Sequence, residues 1–287
     1  MFLIEDLHRA LAVKDRKGLE RMYRVDTGRI TLNVRECGKG PLAIFLHGIT
    51  SNSAVFEPLM EGLQARFRCV AVDQRGHGLS DKPDRGYDAG DYAEDIVALI
   101  NALDAGPAIL VGHSLGARNC VTAAAWAPEV VRCAVAIDFT PFIESEVFDA
   151  LDRRVNAGHR LFKTQEEIEA YLRERYPLMP ADAIARRATS AYRAVDGGFR
   201  PLASPEAMML TAKGLREDLK PTFENVRRPI LIVRGALSRF VSADALEKTQ
   251  RLRPDLPVIV VPDTDHYVNE EAPAAVMAAI LEFVGRN

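Results

Sequence analysis

The chain has few cysteines, a single tryptophan, no marked excess of either charge and no apolar run of membrane length. Cys37, Cys69, Cys120 and Cys133 form no Cys-x-x-Cys pair and no metal-ligand spacing, which excludes a disulfide scaffold, a zinc module and a dithiol redox motif. Cys69 and Cys133 lie in apolar runs and read as buried free thiols. With 37 Lys and Arg against 40 Asp and Glu, the net charge of −3 offers no basic field to nucleic acid or an anionic membrane. The opening Met1-Phe2-Leu3-Ile4-Glu5-Asp6 meets acid too early for a signal peptide. The expectation is a cytoplasmic enzyme without metal or cofactor.

What is present is an ordinary globular composition, 48% hydrophobic and 27% charged over 287 residues. Eight strand segments can be read: a hairpin over 21–26 and 29–37, then 42–46, 69–72, 108–113, 133–137, 229–235 and 257–261. Helical patterns separate most of them; over 88–105, Tyr92, Ile96, Leu99 and Leu103 recur at helical spacing. Continuous apolar strands flanked by helices are buried on both faces, so the class is α/β with a mostly parallel sheet.

One interval breaks the alternation. Between about 143 and 220 no strand is expected, only helix-like pieces broken by Gly158, Pro177, Pro180, Gly197-Gly198, Pro201 and Pro205. A connection that long reads as an inserted helical cap over the carboxyl edge of the sheet, where open α/β sheets bind ligands. The domains expected are therefore a core of 1–142 with 221–287, and a cap of 143–220.

The most informative stretch is Gly112-His113-Ser114-Leu115-Gly116, fed by an apolar run and followed by an alanine-rich helix former. Strand, Gly-x-Ser-x-Gly turn and helix together lift a serine hydroxyl clear of a sheet edge. That serine needs a histidine base, whose charge changes near neutral pH. Of six histidines, His8 precedes the core and His159 falls in the cap. His47, His77 and His113 sit in glycine-containing turns that they serve to shape. His266, after the last strand, completes the chain order of nucleophile, acid and base.

With His47-Gly48, Asp73-Gln74-Arg75-Gly76-His77-Gly78-Leu79-Ser80, the serine motif and His266, the chain resembles the α/β-hydrolase family, in its form with a lid, from about residue 20 onward. The resemblance implies an eight-stranded sheet and an oxyanion hole made by the backbone N–H groups of Ile49 and Leu115. The acid departs from the commoner pattern. Many members carry Asp after the penultimate strand, but here the segment reads Gly235-Ala236-Leu237-Ser238-Arg239, and serine cannot stabilise an imidazolium. Asp138, ending the 133–137 strand at the same sheet edge as Ser114, is the expected substitute. Asp244 and Asp265 are alternatives: the first suits a helix start, and the second adjoins His266 too closely to face its ring edge. Asp73 is read as holding its turn.

A narrower likeness lies in Gly48-Ile49-Thr50-Ser51-Asn52-Ser53, Ala136-Ile137-Asp138-Phe139-Thr140-Pro141 and cap segments including Arg153-Arg154-Val155-Asn156-Ala157-Gly158 and Glu174-Arg175-Tyr176-Pro177. These resemble a branch of the family that cleaves the amide of an acetylated enamine dicarboxylate in vitamin B6 degradation. The resemblance implies a small anionic dicarboxylate as partner, bound by Arg154, Arg175 and Tyr176, with homodimerisation left open. The cap carries 13 Lys and Arg against 13 Asp and Glu, so arginines such as Arg173 and Arg187 are expected on solvated helix faces. Trp126, ending the helix after Ser114, is expected to pack. The competing readings are a carboxylesterase or lactonase with the same triad, a serine C–C bond hydrolase, or a receptor on the same fold. A haloalkane dehalogenase would need a carboxylate where Ser114 stands.

Overall fold

In the computed structural model, which describes residues 21–287, alternating apolar strands build one sheet with helices on both faces. His8 and the opening residues that bear on targeting lie outside the described residues. The strands are β1 (Arg21–Asp26), β2 (Thr31–Cys37), β3 (Leu42–Leu46), β4 (Arg68–Val72), β5 (Ala108–His113), β6 (Val131–Ile137), β9 (Ile230–Gly235) and β10 (Val258–Val261). Their order is β1-β2-β4-β3-β5-β6-β9-β10. β1 and β2 pair antiparallel with their neighbours, and every later pairing is parallel. The central strands β3, β5 and β9 are buried at every position, as continuous apolar runs require between two helical layers.

On one face, α2 (Ala89–Ala102), α3 (Leu115–Trp126) and α8 (Lys220–Asn225) cover a cluster that includes Leu46, Leu110, Ala136 and Ile232. On the other, α1 (Glu57–Leu63) and α11 (Pro273–Arg286) cover Phe45, Val111, Val135 and Val233. α9 (Ala243–Leu252) and α10 (Val268–Glu271) complete the second half. None of the described helices is long and apolar enough to cross a membrane.

The 143–220 interval holds α4 (Ser145–Gly158), α5 (Gln165–Arg175), α6 (Ala181–Ser190) and α7 (Pro205–Gly214). It also holds two strands where none was expected, β7 (Tyr192–Val195) and β8 (Gly198–Pro201), paired antiparallel. Val195 faces Gly198, so Asp196-Gly197 is the two-residue turn, with Gly197 at φ 79°. At Gly198 a Cβ would meet the Phe162 carbonyl at 2.0 Å, because Phe162 and Phe199 exchange backbone hydrogen bonds of 2.9 and 2.7 Å there. The Asp-Gly pair is thus the second half of a hairpin signal rather than a helix break. Phe148, Leu151 and Val155 of α4 join the main core, whereas Phe162, Ile168, Leu172, Tyr176 and Ile184 form a small core of their own. Trp126 lies across Gly90 and stays 58% exposed, so its packing covers only part of the ring.

Candidate active site

The turn at the end of β5 places Ser114 at φ 54° and ψ −114°, a strained conformation for a residue with a side chain. The surroundings enforce it. Ser114 N–H donates to the Ile137 carbonyl at 2.9 Å, and its own carbonyl accepts from Arg118 N–H at 3.0 Å to start α3. A Cβ on Gly112 would stand 2.2 Å from the Gly116 carbonyl, and one on Gly116 would stand 1.9 Å from the Leu46 carbonyl. Both glycines are therefore conditions for bringing strand, helix and β3 together. Among the described residues, Ser114 Oγ has no hydrogen-bond partner; such bonds often tighten only around substrate.

Three buried groups converge on the next strand end. Asp138, at φ 51° after β6, is pinned by its N–H donating to the Val233 carbonyl at 2.7 Å. Its Oδ1 accepts from Gly235 N–H at 3.1 Å, and its Oδ2 accepts from the Ser238 hydroxyl at 2.6 Å. Ser238 Oγ itself accepts from Phe240 and Val241 N–H, so its proton has nowhere to go but the carboxylate. His266 Nδ1 lies 2.7 Å from the same Oδ2. The proton between them is shared along that line, and with it on Nδ1 the Nε2 nitrogen is left basic. Burial pushes the Asp138 carboxyl up, opposed by Ser238, Gly235 and the Arg234 charge.

Burial first, then the charges of Arg154 and Arg187, together pull the imidazole of His266 down to about 3, with Asp265 opposing. It is neutral, and so a base, at physiological pH. Phe240 packs on one side, ring centroids 4.3 Å apart, and His113 on another at 4.7 Å. His113 Nε2–H reaches the His266 carbonyl at 2.8 Å, tying the serine turn to the base loop. Asp244 is exposed in the first turn of α9 and pairs with Lys248 at 2.6 Å, away from His266.

Ile49 and Thr50 follow the His47-Gly48 turn, which is locked from several sides. His47 Nδ1–H donates to the Gly48 carbonyl at 2.7 Å, and its Nε2 accepts from Gln74 N–H at 3.1 Å. Gln74 in turn donates to the His47 carbonyl at 2.6 Å. A Cβ on Gly48 would stand 2.9 Å from His113 Nδ1 and 3.4 Å from Ser114 Cβ, so this loop lies against the serine. Thr50, at φ 63°, is a third strained residue here. Neither Ile49 nor Leu115 N–H has a hydrogen-bond acceptor among the described residues, and both start at turns beside Ser114. Asp73 anchors the loops behind them, accepting from Ser53 and Leu79 N–H and from Asn33.

Next to Thr50 a cavity of about 40 Å³ is lined by Arg154, Arg175, Tyr176, Arg187, Tyr192 and His159, among others. Arg154 has no carboxylate partner among the described residues, and its buried Nε is unbonded. Arg175 donates to the Arg154 carbonyl at 3.3 Å and to the Tyr171 hydroxyl, also with no carboxylate and a buried, unbonded Nε. Burial pushes the Tyr176 phenol up, but Arg175, Arg187 and Arg154 together bring it down to about 8. Arg173, by contrast, is exposed and paired with Glu169 at 2.8 Å.

Arg187 is a correction. Expected on a solvated face, it is buried, with Nε 3.1 and 3.0 Å from the two oxygens of Glu270 and its guanidinium 5.0 Å from the ring centroids of both Tyr176 and Tyr267. The physical reason is the partner: α6 is amphipathic, and a carboxylate supplied by α10 lets a guanidinium sit on its inner face. Nothing in the local sequence links residue 187 to residue 270. The inner pocket therefore holds three guanidiniums against one carboxylate, two positive charges in excess, with His113 and His266 held neutral.

Comparison with known proteins fits this geometry. The profile of a family described as alpha/beta hydrolase fold matches residues 41–273. A Mesorhizobium japonicum protein described as 2-(acetamidomethylene)succinate hydrolase is 65% identical over 261 residues, covering 91% of this chain and 94% of its own. A crystal structure of E-2-(acetamidomethylene)succinate hydrolase superposes with a TM-score of 0.92 at 64% identity, over 93% of this chain and 99% of that one. The enol-lactonase of Burkholderia xenovorans LB400, at 17% identity and a TM-score of 0.73, covers 92% of this chain and shares the fold.

Proposed function

The chain belongs to the α/β-hydrolase fold family, and from that premise we propose that it hydrolyses the amide of (E)-2-(acetamidomethylene)succinate, a cytoplasmic step of vitamin B6 degradation. One observation carries the substrate class: the two uncompensated positive charges of the Arg154, Arg175 and Arg187 pocket, near enough for Arg154 and Arg187 to act on His266, suit a dianion. Residues 143–220 act as the cap that supplies them. At about 40 Å³ the cavity is small, so side chains or cap helices give way when a dicarboxylate enters.

In the proposed reaction, His266 Nε2 takes the Ser114 proton as Oγ attacks the acetyl carbonyl. Ile49 and Leu115 N–H receive the alkoxide, a contribution of about 3–4 kcal/mol per donor. The imidazolium, held by Asp138, then protonates the departing nitrogen. His266 next activates water to release acetate from Ser114. The freed enamine tautomerises to an imine, a second water releases ammonia, and the resulting aldehyde, β to a carboxylate, loses carbon dioxide to give succinate semialdehyde. No step calls for a cofactor. Steady-state turnover of the enamide against p-nitrophenyl acetate, with acetate and ammonia measured together, tests this reading. Equal amounts of both from a strongly preferred enamide support it; preference for the simple ester makes the protein a general esterase.

A further inference from the structure

A second, larger cavity of about 550 Å³ opens between the β7–β8 hairpin and the loop after β4. It shares His159, Pro201 and Ala203 with the lining of the inner pocket, so the two are neighbours across those residues. Its charged lining is Lys82, Arg193 and Arg200 against a single acid, Glu206. Arg193 and Arg200 stand directly opposite one another across β7 and β8. Like charges at that position oppose the pairing. Among the described residues neither has a carboxylate partner. Among the described residues, Lys82 donates to the Gly78 and Ser80 carbonyls, at 2.8 and 3.0 Å, and forms no ion pair, though the charges of Asp73 and Asp81 act on it. Glu206 is occupied by the Ser204 hydroxyl at 2.8 Å. Between the cavities, the buried Nε2 of His159 has no partner.

We propose that this cavity is a vestibule that captures the dicarboxylate dianion before it passes His159 into the inner pocket. The inference rests on the dicarboxylate reading above. Two excess positive charges in the outer lining repeat the two inside, and the outer cavity is much the larger of the two. A hairpin carrying two unpaired, opposed arginines at its mouth is explained if an anion is their intended partner. Charges in such a position act on encounter, raising local substrate concentration and association rate rather than the chemical step.

The test compares wild type with the Arg193→Gln/Arg200→Gln double variant from about 0.01 to 0.15 M ionic strength, over which the screening length shrinks from about 30 to 8 Å. The variant is expected to lose roughly tenfold in kcat/KM for the dicarboxylate at low salt, to show a flatter salt dependence, and to spare kcat. The Arg193→Lys/Arg200→Lys variant, which keeps the charges on the same hairpin, should retain the wild-type slope. Wild-type kcat/KM and slope in the Gln variant, or an equal loss in kcat, overturns the vestibule while the dicarboxylate reading survives. A wild-type enzyme indifferent to whether the enamide is a dianion or its neutral diester overturns both.

Discussion

Ser238 donates its hydroxyl to Asp138 Oδ2 across 2.6 Å, from the place after the penultimate strand where the family commonly puts the acid itself. On the proposed reading the acid stands one strand inward, at the end of β6 rather than of β9, and the position it leaves supplies a donor that orients it. The two strands are adjacent and parallel, so their ends differ by a single strand spacing and either can reach His266.

The relocation predicts which substitution is crippling. Asp138→Asn should lower kcat by about 10⁴, since an amide can hold His266 in the tautomer whose Nε2 is already protonated. Asp244→Asn, on an exposed helix start, should stay near wild type. The reverse pattern in steady-state assays would place the acid on α9.

An acetyl group should pass through Ser114. Intact-mass measurement of a quenched reaction, followed by peptide mapping, is expected to find the added acetyl on the peptide containing Ser114, most readily when deacylation is slowed. Persistent absence of the adduct, with labelled water entering the acetate in one direct step, would favour attack by water instead.

The pH profile follows from the environment of His266. Because the imidazole must be neutral to act, and burial with Arg154 and Arg187 draws it down, the acid limb of activity should lie below the ordinary histidine value of about 6.5. The Arg154→Met variant removes one charge that disfavours the imidazolium, so its acid limb should move upward. Profiles of kcat/KM on a neutral ester check this without titrating the substrate; limbs that coincide near 6.5 would contradict it.

Carboxylate recognition by the cap should appear as substrate-dependent loss. Arg154→Met and Arg175→Met should each cost about 2–5 kcal/mol of transition-state binding for the dicarboxylate, far more than for p-nitrophenyl acetate. Equal losses on both substrates would make these arginines struts of the cap. Arg187→Met differs in kind: it strands Glu270 in the interior and should cost about 3–5 kcal/mol of folding stability, read from denaturant unfolding.

The sequence by itself carried the class, the strand segments of the sheet, and the placing of Ser114 on its sharp turn and of Asp138 and His266 at neighbouring strand ends. Each of these is written in local chemistry: apolar runs at strand length, glycines where backbones cross, a serine where an aspartate is usual. Asp138 was legible because it directly follows a strand, and strand ends meet at one edge of a parallel sheet. Only the tertiary structure decided the internal order of residues 143–220. Asp196-Gly197 is a hairpin turn there, and the flanking segments become strands because Phe199 pairs with the distant Phe162. Arg187 likewise looks like any helix-surface arginine until α10 brings Glu270 against it, 83 residues on. Whether a charge is solvated or buried depends on what the fold places opposite it, and that partner has no local signature.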